Sequence, residues 1–428
     1  MVRVRPRRLT KLQGLIILLV LIAVAGGVVH FPRGVAAYQE WRLSRLPLKQ
    51  LEAAAKEHPQ DVRVLYHLGT AYARANRLDD AARTLVKVVN LQPTHAKAFN
   101  DLGVTYMAQG KQSEALLALK AAVEAQPAFA KAHANLGRLY LMVRSPYSAT
   151  SSLTRAVELD PKDALAWVDL GVAHQETYNF KKSLEAFLRA AALAPQNPDV
   201  WSGMGETYRS LARPADAEQA FRRALQLNPQ HAGALLGLGR LALEQAKSRE
   251  DFRRAAKLFR QSLASDPQNV TALYNLGCTQ RKLGDERGAV RSLERAFRLA
   301  PTETSVMYQL GQAYVAAGRK AEGQRLLKQF ERLAALLRER DVLEKRLDDE
   351  RENVPAHVRL AELYLLFNEP SKAARVCRLA LAQQPDHAHA HRLLATALRM
   401  LGQRAEAEHH DQRAMELERS AGSPAAQK

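Results

Sequence analysis

The densest set of metal-ligand side chains in the chain is His387, His389 and His391, followed by His409 and His410. On a helix His387 and His391 share one face, a spacing at which two imidazoles can hold zinc. The two cysteines, Cys278 and Cys377, lie about a hundred residues apart with no Cys-x-x-Cys spacing, so neither a disulfide framework nor a zinc ribbon is on offer. The sequence contains no Walker loop, no dinucleotide fingerprint after a strand and no Gly-x-Ser-x-Gly nucleophile motif, and no segment reads as a strand. These residue types point away from enzymatic chemistry, and no cofactor is expected.

The elements that would position any site are helices. Hydrophobic residues form 47% of the chain and charged residues 25%, which suits a chain that buries a core. Ala, Leu and Arg dominate, and they lose little side-chain entropy in a helix. Prolines set a period: Pro93, Pro127, Pro161, Pro195 and Pro229 fall 34 residues apart, Pro267 comes after 38 and Pro301 after 34 again. Each ends a helical pattern, as a residue with fixed φ and no N–H must. Within each unit stands a Leu-Gly-like pair with an aromatic three residues later: Leu68-Gly69 with Tyr72, Leu102-Gly103 with Tyr106, Leu136-Gly137 with Tyr140, Met204-Gly205 with Tyr208, Leu310-Gly311 with Tyr314.

These residues resemble the tetratricopeptide repeat, a helix-turn-helix unit of this length. A large residue near the start of the first helix (Phe99, Trp167, Trp201), a small one in the second (Ala81, Ala115, Ala149, Ala217, Ala289) and a later large-small pair (Phe187 with Ala190, Phe221 with Ala224) complete the pattern. The resemblance implies an all-α, tetratricopeptide-type α-solenoid, a right-handed superhelix of repeats beginning near residues 62, 96, 130, 164, 198, 232, 270, 304, 354 and 388. It also gives His391 the same hairpin-packing position as His133 and His357, which argues against a zinc pair. Residues 32–61 read as a linker and N-terminal capping helix, 62–337 as about eight repeats, 338–353 as a helical connector, 354–421 as two further units and 422–428 as a disordered tail. The unit at 232 has four extra residues within 246–252, expected to lengthen its turn. After Phe330 sixteen residues are added, and Leu333, Leu336, Leu337, Leu343 and Leu347 give them an apolar stripe suited to packing on the array.

In stacked repeats of this family the first helices line a concave groove. The same resemblance places Arg63, Lys97, Asn100, Asp101, Lys131, Asn135 and Arg138 on its first third, with Tyr274, Asn275 and Tyr308 further along and then Arg359, Arg392 and Arg399. Between them Asp169, Glu176, Asp199 and Glu206 make an acidic stretch. Alternating blocks of charge suit proteins or extended peptides as partners, with an acidic segment favoured. The net charge of +19 raises nucleic acid as a partner. Nine of the basic residues, against the single acid Glu40, fall within residues 1–50 beside an apolar run, so nucleic acid is not expected.

That run, Leu15 to Val29, is extendable to residues 12–31 and follows a basic flank, residues 1–11. It is long enough to span a bilayer. It reads as one transmembrane helix preceding the solenoid, or as a signal sequence if processing occurs at Val35-Ala36-Ala37. The run predicts a single-pass protein that contacts the lipid bilayer through residues 12–31. The Ala- and Arg-rich composition is compatible with a bacterial inner membrane, and the charge bias places the repeats extracytoplasmic. The functional expectation is a membrane-anchored, non-enzymatic scaffold that assembles a multiprotein complex. The alternative is a non-catalytic regulatory or receptor subunit of an envelope glycan-assembly, secretion or import system.

Overall fold

The computed structural model describes residue 38 and residues 40–421. The basic flank, the apolar run at 12–31 and the tail at 422–428 lie outside the described residues. The expected transmembrane helix, with the single-pass membrane location built on it, is corrected here: among the described residues no helix is long and apolar enough to cross a membrane. The helices that form alternate apolar and charged faces, because their apolar side chains are spent on neighbouring helices.

The chain divides into two compact units, Met1–Gly237 and Leu238–Lys428. In the first, the helix Leu48–Glu57 precedes the hairpins Val62–Arg74 with Leu78–Leu91, Ala96–Ala108 with Gln112–Ala125, Ala130–Met142 with Pro146–Leu159, Ala164–Glu176 with Phe180–Leu193, and Pro198–Ser210 with Pro214–Leu227. In the second, after Arg249–Ser265, come Val270–Lys282 with Glu286–Leu299, Thr304–Ala316 with Lys320–Asp349, Val354–Leu366 with Pro370–Gln383, and Ala388–Met400 with Arg404–Ala421.

Local chemistry sets the helix ends. The residue before many of the first helices is Asp, Asn or His, and its side chain accepts a backbone N–H of the first turn: Asp61 from Val64, Asp163 from Ala166, Asn269 from Ala272 and His387 from Ala390. The turn inside each hairpin places one residue in the left-handed region, with Gly110, Gly284, Gly318 and Gly402 there at φ 73–83°. Asn76, Arg144, Tyr178, Ala212 and Asn368 take the same conformation at φ 55–58°, a form that is strained for a residue with a Cβ. The expected longer turn at 246–252 is largely absorbed by helix instead. Ser248 and Asp251 form a reciprocal capping box that starts the helix at Arg249 and extends it to 17 residues.

Close approach of helices explains the Leu-Gly signature. Phe187 is fully buried, and a Cβ added at Gly171 or Gly203 would come within 2.7 or 2.4 Å of its ring. One aromatic therefore fills the space left by glycines on two successive first helices.

A recurrent polar clasp joins each of three hairpins to the helix before it. Tyr72 donates its hydroxyl to Glu52 Oε1 at 3.0 Å, while Arg77 stacks 4.5 Å over the Tyr72 ring, bonds the same oxygen at 3.1 Å and is held by Asp80 at 2.7 Å. Tyr314, Glu294, Arg319 and Glu322 repeat it, with Tyr314 to Glu294 at 2.9 Å and Arg319 4.1 Å above the ring. Burial, then the bond to Glu294, pushes the Tyr314 phenol up to about 12. The third clasp, Tyr364 to Glu344 at 2.9 Å, reverses the charges: Glu369 stands where Arg77 and Arg319 stand, and Lys372 lies over the ring.

Lys320–Asp349 is a single 30-residue helix. Its first half contributes Leu326 and Leu333 to the core around Leu293 and Leu310, and its second half sets Leu343 and Leu347 against Leu360, Tyr364 and Ala373. The apolar stripe read from the sequence thus belongs to two successive cores of the second unit.

Candidate functional site

In the first unit the predicted groove residues fall on successive first helices, which side-chain bonds tie together. Tyr66 donates to Asp101 Oδ2 at 2.8 Å, Asn100 to Asp101 Oδ1 at 3.0 Å, and Asn135 to Asn100 Oδ1 at 2.8 Å. Arg138 then reaches Asp169 Oδ2 through Nε at 3.0 Å and a terminal nitrogen at 2.7 Å. These bonds link four adjacent first helices along one wall. Asn100 is only 1% exposed and Asn135 only 7%, so both amides lie inside the wall and are spent on one another.

Electrostatics follow from that burial. Burial raises the Asp169 carboxyl above its ordinary value, and the Arg138 guanidinium offsets this only in part. The Tyr66 phenol is pushed up by burial and by the Asp101 carboxylate. These bonds run within the wall, from one first helix to the next.

Lys97 and Lys131 differ. Both are exposed, and neither makes an ion pair among the described residues. Lys97 stands one turn before Asp101, and Lys131 one turn before Asn135, so both cations project from the bonded wall. Apolar side chains accompany them on the same helices: Val104 is 41% and Met142 50% exposed. Arg63, at the entrance of the first hairpin, is exposed with Asp61 at 3.5 Å.

The remaining predicted residues lie in the second unit. Tyr274 is half-buried beside Cys278, and the Asn275 amide donates to the Thr271 carbonyl of its own helix at 2.8 Å. Tyr308 packs its ring 5.2 Å from Phe330. The histidines of 387–391 are engaged separately: His387 caps its helix, His389 meets Glu362 at 2.8 Å, and His391 bonds the Pro385 carbonyl at 2.9 Å and His410 at 2.8 Å. The ladder partners Tyr66 and Asp169 were reachable from the sequence. Their offsets of 35 and 31 residues from Asp101 and Arg138 are close to one repeat.

A family model described as the Cilia and flagella-associated protein 70 C-terminal domain matches residues 99–309, and tetratricopeptide repeat models match residues 48–95 and 340–397. Fold and matches together define the class: the chain is a tetratricopeptide-repeat protein. No curated protein matches it. Among solved structures it is similar to the MamA protein, at 24% identity over 40% of this chain and 93% of that one, with a TM-score of 0.37. PilF of Pseudomonas aeruginosa is similar at 22% identity over 49% and 94%, TM-score 0.41. The human IFIT1 dimer with PPP-AAAA is similar at 14% identity over 88% and 95%, TM-score 0.44.

Proposed function

We propose that the chain is a protein-interaction scaffold, and that its first unit receives an acidic, extended segment of a partner along the wall formed by the helices Ala96–Ala108, Ala130–Met142 and Ala164–Glu176. Proteins of the tetratricopeptide class are in general non-catalytic scaffolds, which supports the broad reading. The observation that carries the specific one is the contrast within the wall: its Tyr, Asn, Asp and Arg groups are bonded to each other, while Lys97 and Lys131 stand exposed without ion pairs among the described residues. A rigid, internally satisfied wall with projecting cations presents charge without reorganisation on binding. Val104 and Met142 supply apolar contact beside the charges. Each exposed pair contributes only about 0.2 to 1 kcal/mol, so charge chiefly sets association rate and orientation. The test is stopped-flow association of the full chain with a fluorescent glutamate-rich peptide. Lys97→Glu with Lys131→Glu should slow association by about tenfold at low salt with the melting temperature nearly unchanged; an unchanged rate removes this wall as the site.

A further inference from the structure

Among the described residues of the first unit only the first hairpin carries the clasp; Val86 and Lys120 stand in place of Glu52 at the second and third hairpins, and the fourth and fifth lack it as well. At the positions held by Glu52, Tyr72, Arg77 and Asp80 in the first hairpin, the hairpin Ala164–Glu176 with Phe180–Leu193 and the helix before it carry Thr154, His174, Asn179 and Lys182. The next seam keeps the stack of Arg213 on Tyr208 at 4.7 Å but has Leu188 where a Glu would accept the phenol. A cavity of ≈ 800 Å³ opens at the first of these seams, and one of ≈ 570 Å³ is lined by the helices Pro198–Ser210 and Pro214–Leu227 alone.

The larger cavity has an apolar body built from Val157, Trp167, Leu170 and Leu188, and none of its lining residues belongs to the groove wall. His174 lines it while only 8% exposed, and its Nδ1 is sealed and without a hydrogen-bond partner. An orphaned ring acceptor is less costly than an orphaned N–H, which places the proton on Nε2, the one ring nitrogen left to reach the cavity. Burial, and next the Lys182 ammonium, lower the His174 pKa and keep the ring neutral. Lys182 occupies the place of the acids Asp80 and Glu322 in the first two clasps and of Lys372 in the third. On the rim Lys182 and Arg189 have no ion pair among the described residues; the acids are Glu158, bonded to Arg155 at 3.0 Å, and Glu185.

We propose that this seam is a second binding site, which takes an aromatic side chain with an adjacent carboxylate from a partner polypeptide. The partner supplies the ring and the acid that Tyr72 and Glu52 supply at a closed seam. The ring enters among Trp167, Leu170 and Leu188, while the carboxylate meets Lys182 and accepts from His174 Nε2. The volume is within the range of about 300 to 1,000 Å³ usual for ligand pockets.

The test uses the full chain with isotope-labelled histidine and two peptides, acetyl-Tyr-Glu-amide and acetyl-Tyr-Gln-amide. The acidic peptide should shift the His174 ring resonances and raise the midpoint of its titration, because a carboxylate opposes the effect of Lys182. The Gln peptide should bind at least fivefold more weakly, and Lys182→Glu should weaken the acidic peptide by a similar factor. The groove variant with Lys97→Glu and Lys131→Glu should leave these shifts intact, which separates this site from the groove. The triple variant Thr154→Glu, His174→Tyr, Asn179→Arg rebuilds the clasp and should melt higher than the parent. An unmoved His174 at saturating acidic peptide, an equal response to both peptides, or a lower melting temperature for the rebuilt clasp would each overturn the proposal.

Discussion

Three first-helix arginines of the second unit and two first-helix lysines of the first have opposite surroundings. In the second unit Arg359 bonds Glu339 and Glu362, each at 2.7 Å, Arg392 bonds Glu418, and Arg399 bonds Asp411. In the first unit Lys97 and Lys131 have no such acid among the described residues, whereas Arg138 is paired with Asp169. The difference teaches that a count of basic side chains does not measure charge offered to a partner. An arginine held between two carboxylates is part of the framework, whereas a lysine projecting from a wall whose other polar groups are satisfied is available.

The comparison can be broken most directly by charge reversal. Reversing Arg392 and Arg399 to Glu should leave association with the glutamate-rich peptide within about twofold of the parent, against the roughly tenfold loss expected on reversing Lys97 and Lys131. Equal losses in the two variants would erase the distinction. Next in size is stability. Arg359→Glu should cost about 1 kcal/mol, the upper end for part-exposed pairs, and Lys97→Glu less than about 0.5 kcal/mol, both read by denaturant titration.

Acid should separate the regions further. Bonds from Arg359 hold the Glu339 carboxyl below its ordinary value, and bonds from Asn353 and Arg346 do the same for Glu350. The Glu362 carboxyl, which burial would raise, is held down by Arg359 and His389. A lowered carboxylate pKa contributes stability that is present above the ordinary value near 4.5 and is lost as pH falls through the folded value. Asp169 has the opposite sign: its raised pKa favours the protonated form in the fold, so its contribution is present in acid and lost as pH rises. Amide exchange from pH 5 to 3 should therefore open Val354–Leu366 before Ala164–Glu176. The smallest expected effect is Asp169→Asn, below about 0.5 kcal/mol, because Arg138 is 41% exposed and keeps water when its partner is neutral.

The hairpins were legible in the sequence because Gly at one position and Leu, Phe or Ala at others answer to contacts that recur every repeat; Gly171 against Phe187 is one such contact. Lys97 and Lys131 were legible as cations on successive first helices for the same reason. What distinguishes them from Arg359 was not, because Glu339 is 20 residues away, on the long helix that departs from the repeat pattern. Asn100 and Asn135, expected in the groove, bond to each other, a pairing visible only at an offset of 35 residues. The clasps were not legible because Glu52 and Tyr72 belong to different helices, with a 20-residue offset that the 34-residue period does not display.

The long helix Lys320–Asp349 acts as a shaft with two sets of teeth. Leu326 and Leu333 engage one core, while Leu343, Leu347 and Glu344 engage the next. The two sets are kept in phase only by the number of residues between them. Each residue turns a helix by about 100°, so removing one residue between Leu333 and Leu343 would turn the second core by about 100° about the helix axis relative to the first, while removing seven would bring its angle back to within about 20°. A one-residue deletion should therefore cost more cooperativity in thermal unfolding than a seven-residue deletion, although it removes less protein. Length along this segment is free to vary only in nearly whole turns.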